Sequence, residues 1–304
     1  MEFLGAVGQH AFLQYALAAG LLASIACGVV GSYVAARRIT YLAGGIAHSV
    51  LGGMGAARYL QVVYGWEWLH PLQGAVVAAL LAAGIIGWVT LRSRQREDTV
   101  ISALWAVGMA TGILFIWRTP GYSENLMSYL FGNILMVSAT ELWLVAGLDA
   151  LVLVASLLCY KQLVAVCFDE EFARLRGVPV EFYYLLLLGL TALTVVLLVT
   201  VVGLVMVVAL LSLPVAIAGH FSRSLKQVMV IAAVLSAAFT TLGLAASYGA
   251  DMPSGAVTIV MAGAAYLLVA VGVGLGARAR RRRGSPPASP PQATPCEGPG
   301  PQGI

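Results

Sequence analysis

Apolar runs of about 20 residues recur along the whole chain, and each is long enough to cross the hydrocarbon core of a bilayer as an α-helix. Short polar segments separate these runs. The pattern predicts an all-α fold, a polytopic transmembrane helix bundle of nine spans, or of eight if one segment is re-entrant. The predicted spans are 13–36, 42–63, 71–91, 99–117, 140–160, 183–201, 203–220, 227–248 and 256–277.

The second predicted span, 42–63, is rich in glycine. At helical spacing, Gly44, Gly52 and Gly55 share one face with His48. Small residues on such a face let a neighbouring backbone approach closely. We expect this face to leave room beside the His48 ring.

A second irregular span, 203–220, carries Pro214 in its interior. A proline removes one backbone hydrogen bond and bends the helix. The hydroxyl of Ser212 lies nearby in sequence and is expected to satisfy a freed backbone group. We therefore predict a helix kink at Ser212 and Pro214.

One sizeable charged segment lies between long apolar runs, at 168–180, and reads FDEEFARLRGVPV. Its carboxylates come first and its arginines later, which suits the dipole of a helix, and Gly177 is a natural stop before Pro179. The segment is predicted to form a short amphipathic helix at a membrane face. By its residues alone it either binds a partner or is a solvated loop helix. The candidate partner-binding residues are Asp169, Glu170, Glu171, Arg174, Arg176 and Gly177.

Composition supports a membrane protein over a soluble domain. Hydrophobic residues make up 60% of the chain, charged residues make up 10%, and the mean hydropathy is +0.91. These values lie outside the range of soluble domains, and we expect no nucleic-acid partner. We assign residues 1–283 to one transmembrane domain and residues 284–304, rich in proline and glycine, to a disordered tail.

The positions of lysine and arginine predict the orientation in the membrane. Positive residues in cytoplasmic loops set the topology of most membrane proteins. That rule places the N-terminus outside, and it places the segment 168–180 and the C-terminus inside. If the spans alternate, every positive cluster falls on the same side: 37–38, 92–96, 161–176, 223–226 and 278–283.

Four ionisable residues are candidates for a metal path: His48, Asp149, His220 and Asp251. An ionisable group at mid-membrane depth is a functional candidate by default, and His48 and Asp149 lie at that depth. Neutral imidazole is also the commonest metal ligand. The alternatives are a histidine that bonds to a neighbouring helix and an aspartate that is a structural hydrogen-bond partner. His220 is typical of an interfacial residue, and Asp251 is typical of a cap in an outer turn.

Enzyme motifs are missing from the sequence. The chain contains no H-E-x-x-H, no G-x-S-x-G and no G-x-x-x-x-G-K-[ST]. If ATP drives this protein, another chain must bind the nucleotide. We therefore expect a chain that is not an enzyme and binds no cofactor of its own.

Six blocks of sequence stand in the order found in one known family. On these blocks the chain resembles, from about Val30 to Leu268, the ABC-3 permeases, the membrane subunits of bacterial zinc, manganese or iron ABC importers. The blocks are RRITYLAGGIAHSVLGG at 37–53, DTVISALWAVGMATGILFI at 98–116, LMSYLFGNILMVS at 126–138, FDEEFARLRGVPV at 168–180, VGLVMVVALLSLPVAIA at 202–218 and SYGADMPSGAVTIVMAG at 247–263.

This resemblance implies a fold, partners and a location. The fold is expected to be similar to that of the cobalamin importer permeases. The segment 168–180 resembles the coupling helix that docks into a cytoplasmic ABC ATPase. The permease is expected to work as a homodimer in the lipid of the bacterial cytoplasmic (inner) membrane, with an extracytoplasmic metal-binding protein outside. The cargo is expected to be a divalent transition metal.

One position departs from the family pattern. Family members usually carry an aspartate four residues before the histidine that matches His48, and here that residue is Gly44. A carboxylate and an imidazole one helical turn apart are suited to holding a divalent cation. Without the carboxylate, manganese loses a hard oxygen ligand. We therefore expect zinc foremost, with manganese or iron as alternatives.

Two other transport functions compete with this interpretation. The missing carboxylate slightly favours an ABC permease for a metal chelate, whereas the block-by-block match disfavours it. An ion-coupled secondary transporter would use Asp149 and His48 as a proton relay, and it predicts inverted internal repeats. No such repeats are visible in the sequence.

Overall fold

The computed structural model describes residues 10–92, 97–120, 139–250 and 252–284. Within these ranges the chain is helical and has no strand, which confirms the predicted all-α fold class. We number its eleven described helices in chain order. They are α1 Ala11–Ala36, α2 Thr40–Tyr64, α3 Pro71–Arg92, α4 Glu97–Arg118, α5 Ala139–Leu158, α6 Tyr160–Phe168, α7 Glu170–Leu175, α8 Val180–Val202, α9 Leu204–Phe221, α10 Leu225–Ala250 and α11 Ser254–Gly284.

Seven of the described helices are long and apolar enough to cross a bilayer, and one bent pair makes an eighth span. With α2, which is also long enough to cross, the described helices correspond to the nine predicted spans. The helix that fails the apolarity test is α2, although its 25 residues would extend about 38 Å. Because α2 packs against α3, α4, α8 and α9, its glycine-rich surface faces protein more than lipid.

The predicted span 140–160 corresponds to α5 within two residues at its C-terminal end. α5 ends at Leu158, and α6 leaves it at an angle of 72°. The sequence did not predict the separate helix α6 between this span and the charged segment. The polar residues Tyr160, Lys161 and Gln162 follow the break, so the chain turns where its apolar run stops.

Glycines set the distances between α2 and its neighbours. A Cβ atom at Gly53 would overlap the Gly74 carbonyl oxygen on α3, and a Cβ atom at Gly74 would overlap that of Gly53. On the other side of α2, a Cβ atom at Gly52 would lie 2.9 Å from the Gly108 carbonyl oxygen on α4. These backbones are in direct contact, as small residues at membrane helix crossings allow. α2 is therefore packed tightly between α3 and α4.

Two spans meet without a loop at Gly203. α8 ends at Val202 and α9 begins at Leu204, and Gly203 between them has φ +90° and ψ +161°. Residues with a side chain rarely adopt that conformation. The predicted boundary between 183–201 and 203–220 is therefore correct, and a glycine makes it possible.

Candidate functional site

His48 lies on α2 with its ring held in one orientation. Its Nδ1 atom is 2.8 Å from the carbonyl oxygen of Gly44, one turn earlier. A carbonyl only accepts hydrogen bonds, so Nδ1 carries the proton and Nε2 keeps a free electron pair. Nε2 has no hydrogen-bond partner among the described residues. Metal-binding histidines commonly have this arrangement, in which a backbone carbonyl fixes the tautomer.

Trp105 on α4 covers one face of the His48 ring. The two ring centroids are 4.2 Å apart, and the ring planes differ by 26°. A Cβ atom at Gly44 would lie 2.6 Å from Cζ3 of Trp105. The side chain that Gly44 lacks would therefore occupy the space that the indole fills. No local sequence signal indicated this contact, because Trp105 is 57 residues away from His48.

The expected room beside the His48 ring is filled by α4, so that expectation was wrong. A Cβ atom at Gly44 would meet Trp105, and one at Gly55 would lie 2.9 Å from the Gly112 carbonyl oxygen. The glycines bring two helices together and leave no open chamber on this face. His48 itself is half-buried, and its Nε2 atom has no hydrogen-bond partner among the described residues.

Asp149 on α5 is enclosed by protein. Its side chain is 2% exposed, and its Oδ1 atom is buried without a hydrogen-bond partner among the described residues. α5 packs mainly on α1 and α8, and the thiol of Cys27 on α1 lies close enough to interact electrostatically with the carboxyl group. The structure thus places Asp149 in the bundle interior without the hydrogen bond to Oδ1 that a purely structural role would supply.

The sequence-predicted metal-path residues are not gathered into one site. Across the described residues, no three histidine, cysteine, aspartate or glutamate side chains come together as a metal centre. His220 is exposed at the last turn of α9. Asp251 lies outside the described residues. His48 is therefore the candidate whose geometry best suits a metal ligand.

The predicted role of Ser212 beside Pro214 differs in its detail. Pro214 lies inside α9 and frees the carbonyl of Leu210, one turn earlier. The Ser212 hydroxyl donates instead to the Val208 carbonyl at 2.6 Å. Ser212 therefore reinforces the turn before the proline and does not satisfy the group that the proline frees.

The charged segment forms a shorter helix than predicted, because both of its ends are fixed locally. Asp169 is the N-cap of α7 and accepts a hydrogen bond from the backbone N–H of Phe172 at 2.9 Å. At the other end Gly177 has φ +74°, and Val178 N–H donates to the Ala173 carbonyl at 3.0 Å. This is a Schellman motif, which a glycine in the left-handed region completes. α7 therefore spans only Glu170–Leu175, and Phe168 belongs to α6.

The outer surface of α7 exposes both apolar and charged side chains. Leu175 is 87% exposed and Phe172 is 49% exposed, whereas Ala173 faces the bundle. The side chains of Glu171, Arg174 and Arg176 are also exposed. An exposed apolar patch rimmed by polar residues is a feature of protein interaction surfaces.

Comparison with known proteins agrees with these features. Residues 9–272 match the ABC 3 transport family. An uncharacterized membrane protein of Synechocystis sp. is 45% identical over 86% of this chain and 90% of its own length. The "Probable metal transport system membrane protein" of Chlamydia trachomatis is 40% identical over 83% and 86%. The manganese transport system membrane protein MntC of Halalkalibacterium halodurans is 34% identical over 86% and 87%.

Solved structures give the same result for the fold. PsaBC from Streptococcus pneumoniae, solved in complex with Fab, superposes with a TM-score of 0.78 at 32% identity and covers 88% of this chain and 94% of that chain. An inward-facing ABC transporter superposes with a TM-score of 0.66 at 15% identity, which shows a shared fold alone. The family match spans most of the chain and confirms the resemblance carried by the six sequence blocks. The chain belongs to the ABC 3 transport family.

Proposed function

We propose that this chain is the membrane permease subunit of an ATP-driven importer for a divalent transition metal ion. The observation that carries the proposal is His48, a half-buried imidazole on α2 whose tautomer is fixed by the Gly44 carbonyl and whose Nε2 is free. The relatives support it, since one is named for metal transport and another for manganese transport. The chain itself would move the ion, and a separate chain would hydrolyse ATP.

We propose zinc as the first cargo and manganese as the alternative. Zinc accepts imidazole nitrogen readily, whereas manganese prefers carboxylate and other oxygen ligands. Gly44 supplies no carboxylate, and Trp105 fills the space where one would stand. The names of several relatives favour manganese, so the cargo has to be measured directly. Iron is a third ion that the same site would accept.

The proposed partners follow from the surfaces of the bundle. The exposed face of α7 would dock into the ATPase at the cytoplasmic side. A second permease copy would complete the transport path, and His48 of each copy would then supply a nitrogen ligand to the ion in transit. An extracytoplasmic metal-binding protein would deliver the ion from outside. In this arrangement the N-terminus lies outside and the C-terminus inside the bacterial cytoplasmic membrane.

The test measures metal uptake into proteoliposomes that contain the permease and its ATPase. Zinc or manganese is added together with the binding protein. His48→Ala should lower zinc uptake at least about tenfold, because one lost metal ligand or its support typically costs 10- to 100-fold. His48→Asn should rescue poorly, since an amide is a weak zinc ligand. The matched control is His70→Ala, which removes an exposed histidine from a loop.

The three results separate the possibilities. Loss of zinc uptake in the His48 variants, with normal ATPase assembly and a normal His70→Ala control, supports the proposal. Unchanged zinc uptake in His48→Ala removes this residue from the path. Uptake of manganese but not zinc by the wild-type protein would overturn the choice of cargo and leave the importer in place.

A further inference from the structure

A single guanidinium joins α7 to the rest of the bundle. Arg37, the C-cap residue of α1, forms an ion pair through Nη2 with the Glu170 carboxylate in the first turn of α7. Its Nη1 donates to the Val166 carbonyl on α6 at 3.1 Å. Its Cζ lies 5.3 Å from the centroid of the Tyr184 ring on α8. Arg37 therefore bridges four helices at the end of the bundle where α7 lies.

The backbone next to Arg37 is a tight turn into α2. Arg38 N–H donates to the Ala35 carbonyl at 3.1 Å, and Ile39 N–H donates to the Val34 carbonyl at 3.0 Å. This is the same Schellman motif that ends α7, but here Arg38 adopts φ +63° in place of a glycine. α2 begins directly afterwards at Thr40. Because this turn is short and both of its backbone hydrogen bonds are made, we expect a displacement of Arg37 to displace the start of α2.

The position of His48 makes this connection relevant to transport. His48 is eight residues into α2, which is about 12 Å along a rigid helix from Thr40. Glycine contacts hold α2 directly against α3 and α4, so we expect a displacement of α2 to involve these two helices as well. A displacement of α7 would thus reach the imidazole through Glu170, Arg37 and the first turns of α2.

A second cation holds the other end of the same segment. Lys226 at the start of α10 lies 5.2 Å from the Tyr160 ring centroid, at the start of α6. The Sγ atom of Cys167 approaches the Tyr33 carbonyl on α1 at 3.9 Å. The segment from α6 to α7 therefore contacts α10 at the start of α6 and α1 at the end of α6. Arg37 is the attachment nearest to α7.

We propose that Arg37 is a positioning residue that transmits the displacement of α7 to α2, and through α2 to His48. This inference rests on the proposed function. The planar guanidinium is suited to the task because it holds a carboxylate, a carbonyl and an aromatic face at once from fixed directions. A lysine in its place has a point charge on a flexible stem and would hold them less rigidly. An arginine that only fixed the orientation in the membrane would need no such set of partners.

The experiment measures transport and ATP hydrolysis together in proteoliposomes of the full permease with its ATPase. Arg37→Gln should raise the number of ATP molecules hydrolysed per metal ion imported by about three- to tenfold, within the range known for residues between coupled sites. Glu170→Gln should have a similar effect. The double variant should be no worse than either single one, because both remove the same ion pair.

Two further variants make the test specific. Arg223→Gln is the control, since it removes one exposed positive charge outside the route from α7 to α2 and should leave the ratio unchanged. Arg37→Lys keeps the charge and should give an intermediate loss of coupling. It also serves as the informative variant if Arg37→Gln fails to insert into the membrane.

The outcomes decide the proposal. A raised ratio in Arg37→Gln and Glu170→Gln that does not add in the double variant supports it. Equal effects of Arg37→Gln and Arg223→Gln, additive effects, or a parallel fall of uptake and hydrolysis at an unchanged ratio would each overturn it. If the wild-type protein imports no metal at all, the proposed function fails first, and that result is seen before any variant is compared.

Discussion

The α7 segment and the surroundings of His48 are built in opposite ways. α7 is fixed by its own sequence, with Asp169 at one end and Gly177 at the other, and most of its side chains face outward. His48 is fixed by helices that are distant in sequence, chiefly through Trp105 and the glycines of α2 and α4. A change on α7 should therefore affect contact with a partner and spare the fold. A change near His48 should affect packing and transport together.

The strongest test of this difference is on α7. Glu171→Arg together with Arg174→Glu should abolish uptake, because like charges placed against each other at an interface cost several kcal/mol. The folded state should be unaffected, since both side chains are exposed. Uptake, ATPase co-purification and thermal stability are measured in parallel. Arg223→Glu is the control, because it reverses an exposed charge outside α7.

The expected role of α7 as a partner-binding surface would be contradicted if this double variant still coupled ATP hydrolysis to uptake. α7 would then be an ordinary solvated helix despite its exposed Phe172 and Leu175. Loss of thermal stability in the same variant would also contradict it, because the α7 surface would then be part of the fold.

The second test concerns the tightly packed region. Gly74→Ala should destabilise the permease by about 1–3 kcal/mol, because the new Cβ atom would overlap the backbone of α2, which has no room to move. Gly84→Ala on the same helix should be neutral or stabilising by up to about 1 kcal/mol, since a Cβ atom there meets nothing within 4 Å and alanine favours the helix. Thermal unfolding of the two purified variants measures the difference. Equal effects at both positions would show that the glycine contacts do not control the packing of α2.

The smallest expected effect is a change of metal preference at Gly44. Gly44→Asp alone should lower the uptake of both zinc and manganese, because the new side chain displaces the Trp105 ring. Gly44→Asp with Trp105→Ala should recover transport and shift its preference toward manganese, since a hard oxygen ligand then stands one turn from His48. The control is Gly44→Ala with Trp105→Ala, which makes the same space without a carboxylate. An identical ratio of zinc uptake to manganese uptake in the two double variants would show that the residue at position 44 does not determine the metal preference.

Local features of the sequence predicted most of the fold. Apolar runs gave the helices, because a membrane span must satisfy its own backbone within one segment. The charged segment gave α7 and its glycine stop, because capping depends on residues only a few positions apart. Helix α6 and its 72° angle to α5 were not predicted, because that angle depends on contacts made by α6 with α1 and α8.

The sequence by itself determined a multi-span helical protein of the ABC 3 transport family, a histidine on a glycine-rich helix and a short charged helix between longer apolar ones. Only the tertiary structure decided that Trp105 covers His48, that Asp149 is buried with an unpaired oxygen and that Arg37 joins α7 to the start of α2. Each of these contacts joins helices separated by many residues. Helical periodicity reports which face a side chain lies on, and the packing of whole helices decides what that face meets.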